Sequence, residues 1–312
     1  MNTLTRLLAA GLLAALPLAA HAKIERTVEK AFAVQPGGTL TVNTQGGDVR
    51  ILVGGDQEVR IVARQRFPRA DTEAEADEVM RDLTFELTQQ GNDVSVLTKS
   101  DRRLSGFNWG NRVQIDFTIT VPSRYAADLR TSGGDITVGG LTGRLSAQTS
   151  GGDIDLARID GEINAATSGG DIALAEGTAS ARLRTSGGDI RVGRIAGKAD
   201  LETSGGDIEV RSAGAGVDAS TSGGDVAATF EGGVPADTSL SSSGGDIVAR
   251  IRQASSFRLD ASTSGGGVDA AGLTLTIERG GVGKNRLVGS VNGGGPLLKL
   301  RTSGGDIRII TR

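Results

Sequence analysis

Apolar and polar residues alternate along this chain in short runs, and glycine pairs separate successive runs. Thr39-Leu40-Thr41-Val42-Asn43, Val49-Arg50-Ile51-Leu52-Val53 and Val59-Arg60-Ile61-Val62-Ala63 are early examples, bounded by Gly37-Gly38, Gly46-Gly47 and Gly54-Gly55. A period of two marks a strand with one buried face, and paired glycines mark its turns. From Thr131 to Val226 the alternation itself repeats. Thr-Ser-Gly-Gly-Asp followed by Ile or Val recurs from Thr131, Thr149, Thr167, Thr185, Thr203 and Thr221, always at an interval of 18 residues. A short fixed period predicts units that bury their apolar face only against their neighbours.

One unit, Thr131 to Gln148, shows the components. Gly133-Gly134 make a turn and Asp135 to Val138 a short strand. Gly139-Gly140 and Gly143 bracket a second corner, and Arg144 to Thr149 return. Two strands and two corners in 18 residues are one coil of a parallel β-solenoid, with successive coils about 4.8 Å apart. Steps of 18 align Ile136, Ile154, Ile172, Ile190, Ile208 and Val226 in one inward column, and Val138, Leu156, Leu174, Val192 and Val210 in a second. On the return strand Leu145, Ile163, Ala181, Ala199 and Val217 align, as do Ala147, Ala165, Leu183, Leu201 and Ala219. Arg, Glu, Asp, Lys, Ser and Gln occupy many of the positions between them, so both strands turn an apolar face inward. The inward residues are small. The expected core is thin and depends on many stacked coils.

The predicted architecture is therefore all-β, a parallel β-solenoid of about 18 residues per coil, with one short amphipathic helix near the N-terminal part. That helix is expected over 71–83. Thr72 and Glu75 have capping-box spacing, and Ala76, Val79, Met80 and Leu83 share a face. It is read as lying across a sheet or covering a solenoid end, with partner binding as the other possibility. Leu83 to Leu87 and Val94 to Leu97 read as a strand pair, and Val113 to Val121 as a strand ended by Pro122. Residues 99–112 form a polar loop that holds Phe107 and the single tryptophan, Trp109, read either as a partner contact or as an anchor folded onto the body. Beyond Phe230 the register loosens. Looser copies start at Ser242, Thr263 and Thr302, Gly267 replaces the corner aspartate and is expected to break the row, and the last copy runs into Arg308-Ile309-Ile310-Thr311-Arg312, whose arginines are expected to discourage edge-to-edge growth at an open end. The chain divides as a signal segment over 1–22, an N-terminal β-rich part over 23–130, and solenoid repeats over 131–312.

Composition narrows the chemistry. Residues 1–22 read as a secretory signal: Arg6, the apolar stretch Leu7 to Ala20, then Ala20-His21-Ala22 as the cleavage site before Lys23. An uncleaved anchor is the competing reading, against which the apolar run is short for a span of about 20 residues. Removing Arg6 leaves 33 basic against 37 acidic residues, a charge of −4, which does not suit nucleic acid. There is no cysteine, and the only histidine is His21. A mature chain with neither His nor Cys excludes Ser-His-Asp and Cys-His catalysis and disfavours transition metals.

The Thr-Ser-Gly-Gly-Asp corner is the natural place to look for function. By parity Thr149 and its equivalents point inward, where a threonine column could relay hydroxyl hydrogen bonds along the axis. The glycines are expected to supply positive φ. Asp135, Asp153, Asp171, Asp189, Asp207, Asp225, Asp246 and Asp306 then stack with like charge, which needs compensation. One reading is that each carboxylate accepts turn N–H groups. The other is a Ca²⁺ ladder on Asp135, Asp153, Asp171, Asp189, Asp207 and Asp225, since hard cations take carboxylate oxygens.

Asn43-Thr44-Gln45-Gly46-Gly47-Asp48-Val49, the Val121-Pro122 step after an alternating strand, and the serial Thr-Ser-Gly-Gly-Asp-Ile copies together resemble the bacterial adhesin-like toastrack family, a domain of unknown function. The resemblance covers about residues 30–312. It implies an exported, solenoid-like β domain of the cell envelope, similar to the heads of some auto-transporter adhesins, and brings no catalytic residues. Unlike Gram-positive relatives, the sequence shows no wall or membrane anchor, so a periplasmic location is expected, with a secreted or cell-surface one as the alternative. The functional expectation is a non-enzymatic, adhesin-like scaffold without cofactor, whose partner is an envelope protein or a surface polymer. A Ca²⁺-stabilised solenoid and an envelope polysaccharide-acting enzyme are the alternatives. The enzyme would need paired carboxylates in a cleft, whereas the acidic residues here follow the repeat.

Overall fold

In the computed structural model, residues 23–100 and 112–312 are described. The segments 1–22, expected to be the signal, and 101–111, which holds Phe107 and Trp109, lie outside the described residues. The chain winds as a parallel β-solenoid whose coils each give one strand to each of two sheets, both 14-stranded. We call the sheet entered after each Thr-Ser-Gly-Gly-Asp corner the leading sheet and the other the return sheet. On the leading sheet Ile154 pairs with Ile136 and Ile172, and Ile190 with Ile172 and Ile208. On the return sheet Ile163 pairs with Leu145 and Ala181, and Leu183 with Ala165 and Leu201. The step of eighteen is therefore the hydrogen-bond register itself. The Ile136-to-Val226 column is fully buried, at 0–1% exposure.

Leu141, Ile159, Gly177, Ile195 and Ala213 form a further inward column at the second corner. Its volumes are complementary. A Cβ on Gly177 would lie 2.7 Å from Ile195 Cδ1 and 3.3 Å from Ile163 Cδ1, so these two isoleucines fill the space the glycine leaves. Close packing of this kind leaves little room for substitution.

The paired glycines of the Thr-Ser-Gly-Gly-Asp corners and of the matching Gly46-Gly47 corner do not have the conformation expected of them. Among them only Gly47 has positive φ, at 86°. The second glycine is demanded by proximity instead: a Cβ on Gly170 would lie 2.2 Å from the carbonyl oxygen of Gly152, and one on Gly188 2.1 Å from that of Gly170. Backbone meets backbone from coil to coil, and any side chain would hold the coils apart.

At both ends the order of strands in space departs from their order in sequence. At the N-terminal end the coil built from Asp93–Ser100 and Gln114–Val121 stacks outside the one built from Thr39–Asn43 and Val49–Val53. The latter packs directly on Ala126–Arg130 and Ile136–Val138. Antiparallel strands then close this end: Glu58–Phe67 and Ile24–Ala33 on the leading sheet, Leu83–Gln90 on the return sheet. The helix, Glu73–Arg81, connects Glu58–Phe67 to Leu83–Gln90. It buries Ala76, and Val79 and Met80 rest on the core. Arg26 of the first strand holds it by pairing with Glu73 and, at 2.7 Å, with Asp77. Leu83 begins the next strand rather than the last helical turn. Thr72 caps the helix through the Glu75 N–H, while the Glu75 carboxylate takes the N–H of Asp71, one residue earlier than a capping box requires.

At the C-terminal end the last copy is not the last coil. Leu297–Thr302 and Ile307–Thr311 insert between the Ser242 coil and the strands Phe257–Thr263 and Val268–Asp269. The antiparallel pair Leu275–Gly283 and Arg286–Val291 continues the return sheet beyond Phe257–Thr263. Arg308 therefore does not guard an open end, as expected from sequence, but has neighbours on both sides. The largest fully buried side chains, Tyr125, Phe67, Phe117, Phe230 and Phe257, all lie outside the uniform run of coils. Tyr125 shows how the wider N-terminal end is satisfied. Its hydroxyl donates to the carbonyl of Asn92, and burial, with Asp93 nearby, pushes the phenol up to about 12.

Candidate functional site

The corners stack into a continuous edge that carries the candidate site. From Thr131 onward each buried corner hydroxyl donates to the carbonyl of the second glycine in the adjoining corner, whereas Thr44 donates to Gly46 of its own corner. The series runs from Thr131 on Gly47, through Thr149 on Gly134, to Ser242 on Gly224, Thr302 on Gly245 and Thr263 on Gly305, at 2.8–3.2 Å. From Thr149 onward the same hydroxyl accepts the N–H of the second glycine in its own corner, at 2.9–3.4 Å. The expected relay from threonine to threonine is thus replaced by a link from threonine to glycine backbone. One direct hydroxyl pair exists at the N-terminal end, where Thr98 donates to Thr44 at 2.7 Å.

The aspartates form a second ladder. The backbone N–H of each donates to Oδ1 of the adjoining one at 2.7–3.1 Å, in the spatial order Asp116, Asp48, Asp135, Asp153, Asp171, Asp189, Asp207, Asp225, Asp246, Asp306 and finally Gly267. A carboxylate oxygen thereby satisfies the amide of the next coil rather than of its own turn, a charge-assisted bond. Gly267 does not interrupt this ladder. Its N–H donates the last rung, to Asp306 Oδ1.

Stacked like charge is relieved at intervals. Arg191 bridges Asp171 and Asp189, Arg308 bridges Asp246 and Asp306, and Arg66 pairs with Asp116. The Asp171 carboxyl is held below its usual range, first by the Asp189 N–H and then by Arg191. Sequence reasoning did not pair these arginines with the aspartate ladder. The signal was present: Asp189-Ile190-Arg191 and Asp306-Ile307-Arg308 put the two charges two positions apart on a strand, hence on one face.

Two shallow grooves flank the corner on the return-sheet side. One, of about 370 Å³, runs past Arg130, Ser132, Gln148, Ser150 and Ser168. The other, of about 470 Å³, runs past Ser204, Ser222, Ser243, Ser264, Arg301 and Ser303. The corner serines are exposed, one per coil, and their column was not singled out from sequence. Among the described residues no group of three or more Asp, Glu, His or Cys side chains is placed to hold a metal ion. Asp135, Asp153, Asp207 and Asp225 each accept one amide through Oδ1. The structure brings all six sequence-picked aspartates into one row. Phe107 and Trp109, also picked from sequence, fall in 101–111. In the chain that segment follows Ser100, whose N–H meets Gln45, and precedes Arg112, which pairs with Asp82 at 3.6 Å.

The Toastrack DUF4097 family model matches residues 38–310, the repeats and both shuffled ends together. This chain belongs to the Toastrack DUF4097 family. No curated protein matches it. Solved structures similar to this Toastrack chain include a putative adhesin from Bacteroides fragilis, at 14% identity, 91% coverage of this chain, 97% of that one, and a TM-score of 0.44. A putative lipid binding protein from Parabacteroides distasonis is 15% identical, with coverage of 92% and 96% and a TM-score of 0.42. A putative adhesin from the same organism is 10% identical, with coverage of 91% and 97% and a TM-score of 0.41. Among the described residues of the Toastrack chain no helix is long and apolar enough to cross a membrane.

Proposed function

We propose that this Toastrack protein is an exported, non-enzymatic scaffold of the cell envelope, adhesin-like, that holds a surface polymer along its corner grooves. The observation that carries this reading is the repetition of one exposed serine per coil beside a groove parallel to the solenoid axis. A ligand with its own repeat can meet many equivalent hydroxyls, each weak, and gain affinity through their number. The hydroxyls suit hydrogen bonding to a polar chain. No histidine stands among the described residues to activate a serine, and the carboxylates are spread along a ladder rather than paired across a cleft. The reading includes export through residues 1–22 and residence in the periplasm.

The test is retention of the full chain on immobilised polysaccharide from its own envelope. Ser150→Glu with Ser168→Glu should weaken retention about tenfold, equivalent to about 1.4 kcal/mol, with an unchanged melting temperature. Equal retention of the variant and the parent would defeat the groove reading. N-terminal sequencing of periplasmic material should begin at Lys23. An intact leader in that fraction would count against cleavage.

A further inference from the structure

We propose a separate site, on the leading sheet, for a sugar-sized group that carries one carboxylate or phosphate. It is a recess of about 220 Å³ lined by Thr229, Phe230, Glu231, Arg250, Ile251, Arg252 and Arg312. It lies where the strands Val226–Phe230, Ile247–Ile251 and Ile307–Thr311 end side by side. Phe230 and Ile251 are buried at 0% and 1% exposure, with their side chains in the core. The solvent-facing wall is therefore made mainly by the three arginines, Thr229 and Glu231.

The register forces the arginines together. Thr229 pairs with Arg250, and Ile251 with Thr311. The Arg312 N–H donates to the Ile251 carbonyl at 3.1 Å, so Arg252 and Arg312 leave adjacent strands at matching places. Like charges in such positions repel. Elsewhere on this sheet several arginines answer carboxylates: Arg158 meets Asp160 and Glu176, Arg191 meets Asp171 and Asp189, and Arg308 meets Asp246 and Asp306, whereas among the described residues Arg50, Arg64 and Arg194 stand singly. Among the described residues Arg250, Arg252 and Arg312 have no such partner, and the Glu231 carboxylate is turned to the Ser212 hydroxyl at 3.3 Å. Counted over side chains, three cations against one anion leave a local excess of 3 − 1 = +2 on a chain whose formal charge is −3.

Guanidinium groups grouped in this way match the planar oxygens of a carboxylate or phosphate. The volume is below the ~300 Å³ of ordinary small-molecule pockets, which admits one ring rather than a chain. Glu231 and Thr229 on the rim offer hydrogen-bond partners to ring hydroxyls. Edge protection is the rival account, since cations on edge strands discourage pairing between molecules. It covers Arg312, whose strand adjoins the short Val268–Asp269. It does not cover Arg250, which lies one strand further in, between Thr229 and Ile310.

This inference does not rest on the corner grooves, which lie on the other side of the corner. It is tested by calorimetric titration of the full chain with methyl glucuronide, glucose 6-phosphate, inorganic phosphate and methyl glucoside. One or both acidic sugars should bind saturably, the better of the two identifying the acid, and the neutral glucoside should not bind. Arg252→Gln with Arg312→Gln should weaken that binding about tenfold or more, and Arg250→Gln several-fold. Glu231→Gln should strengthen it, and Arg194→Gln, an exposed position outside the recess, should leave it unchanged. The gain in Glu231→Gln reads the site even where an arginine variant folds poorly. Absence of saturable binding, binding of the glucoside as tight as that of the acids, or inorganic phosphate binding as tightly as glucose 6-phosphate would overturn the proposal. So would a double variant that self-associates yet binds as before, which would leave edge protection as the role of these arginines.

Discussion

The uniform coils from Thr131 to Val226 and the two ends of the solenoid solve different problems. In the coils every strand has an equivalent strand on each side, and the core is made of Ile, Leu, Val and Ala. The ends have a neighbour on one side only. They recruit buried aromatics, change the order of strands, and turn to antiparallel pairing. A parallel stack left bare would offer an edge to any other strand, and the inserted coils and antiparallel strands take that place. Stability in the middle thus comes from repetition of close contacts, and at the ends from bulk and irregularity.

Substitutions can break this contrast, and the largest effect should be in the column. Ile172→Ala, buried at 0% exposure in the middle of the stack, should cost about 3–4 kcal/mol in denaturant unfolding. Val282→Ala, 65% exposed at the C-terminal end, should cost less than about 0.5 kcal/mol. Similar losses at the two sites would mean that the coils are not the better-packed region. Next come the corners. Gly170→Ala drives a methyl to 2.2 Å from the Gly152 carbonyl oxygen and should destabilise by about 3 kcal/mol, whereas Gly232, with nothing within 4 Å, should accept alanine almost freely.

The aspartate ladder separates hydrogen bonding from charge. Asp171→Ala orphans the Asp189 N–H and should cost about 1–2 kcal/mol, while Asp171→Asn keeps an acceptor and should cost clearly less. Acid supplies the matching test. The folded carboxyl of Asp171 titrates below its unfolded counterpart. Its contribution is therefore complete above the unfolded pKa and is lost as pH falls through the folded one. Melting temperature should drop in that acid window, and less so in Arg191→Gln, which lacks one of the two causes. An identical acid profile in both proteins would remove Arg191 from the account. The smallest expected effect is that of Ca²⁺: melting midpoints with the ion and with a chelator should coincide, because among the described residues no three carboxylates converge on one point. A clear rise with Ca²⁺ would restore the cation ladder.

Much of this was readable in advance. Ile136, Ile154 and Ile172 fall in register because strand alternation and an 18-residue period together leave one pairing that buries them all. The inward threonines followed from parity. Other features could not be read. The glycines looked like positive-φ residues because sequence shows a missing side chain and not what occupies its place; the answer was the carbonyl of the next coil. Phe107 and Trp109 remain outside the described residues.

The residue order settles that this chain winds into stacked β coils, which side chains enter the core, and that every corner but the one at Gly267 ends in an aspartate. It does so because each of those outcomes depends on spacing along the chain. It does not settle which coil lies beside which at the two ends. Every Thr-Ser-Gly-Gly-Asp corner is nearly interchangeable with every other, so local pattern fits many stacking orders equally well. The choice that places Thr302 between Ser242 and Thr263, and Asp116 beyond Asp48, is made only when the whole molecule closes its exposed edges.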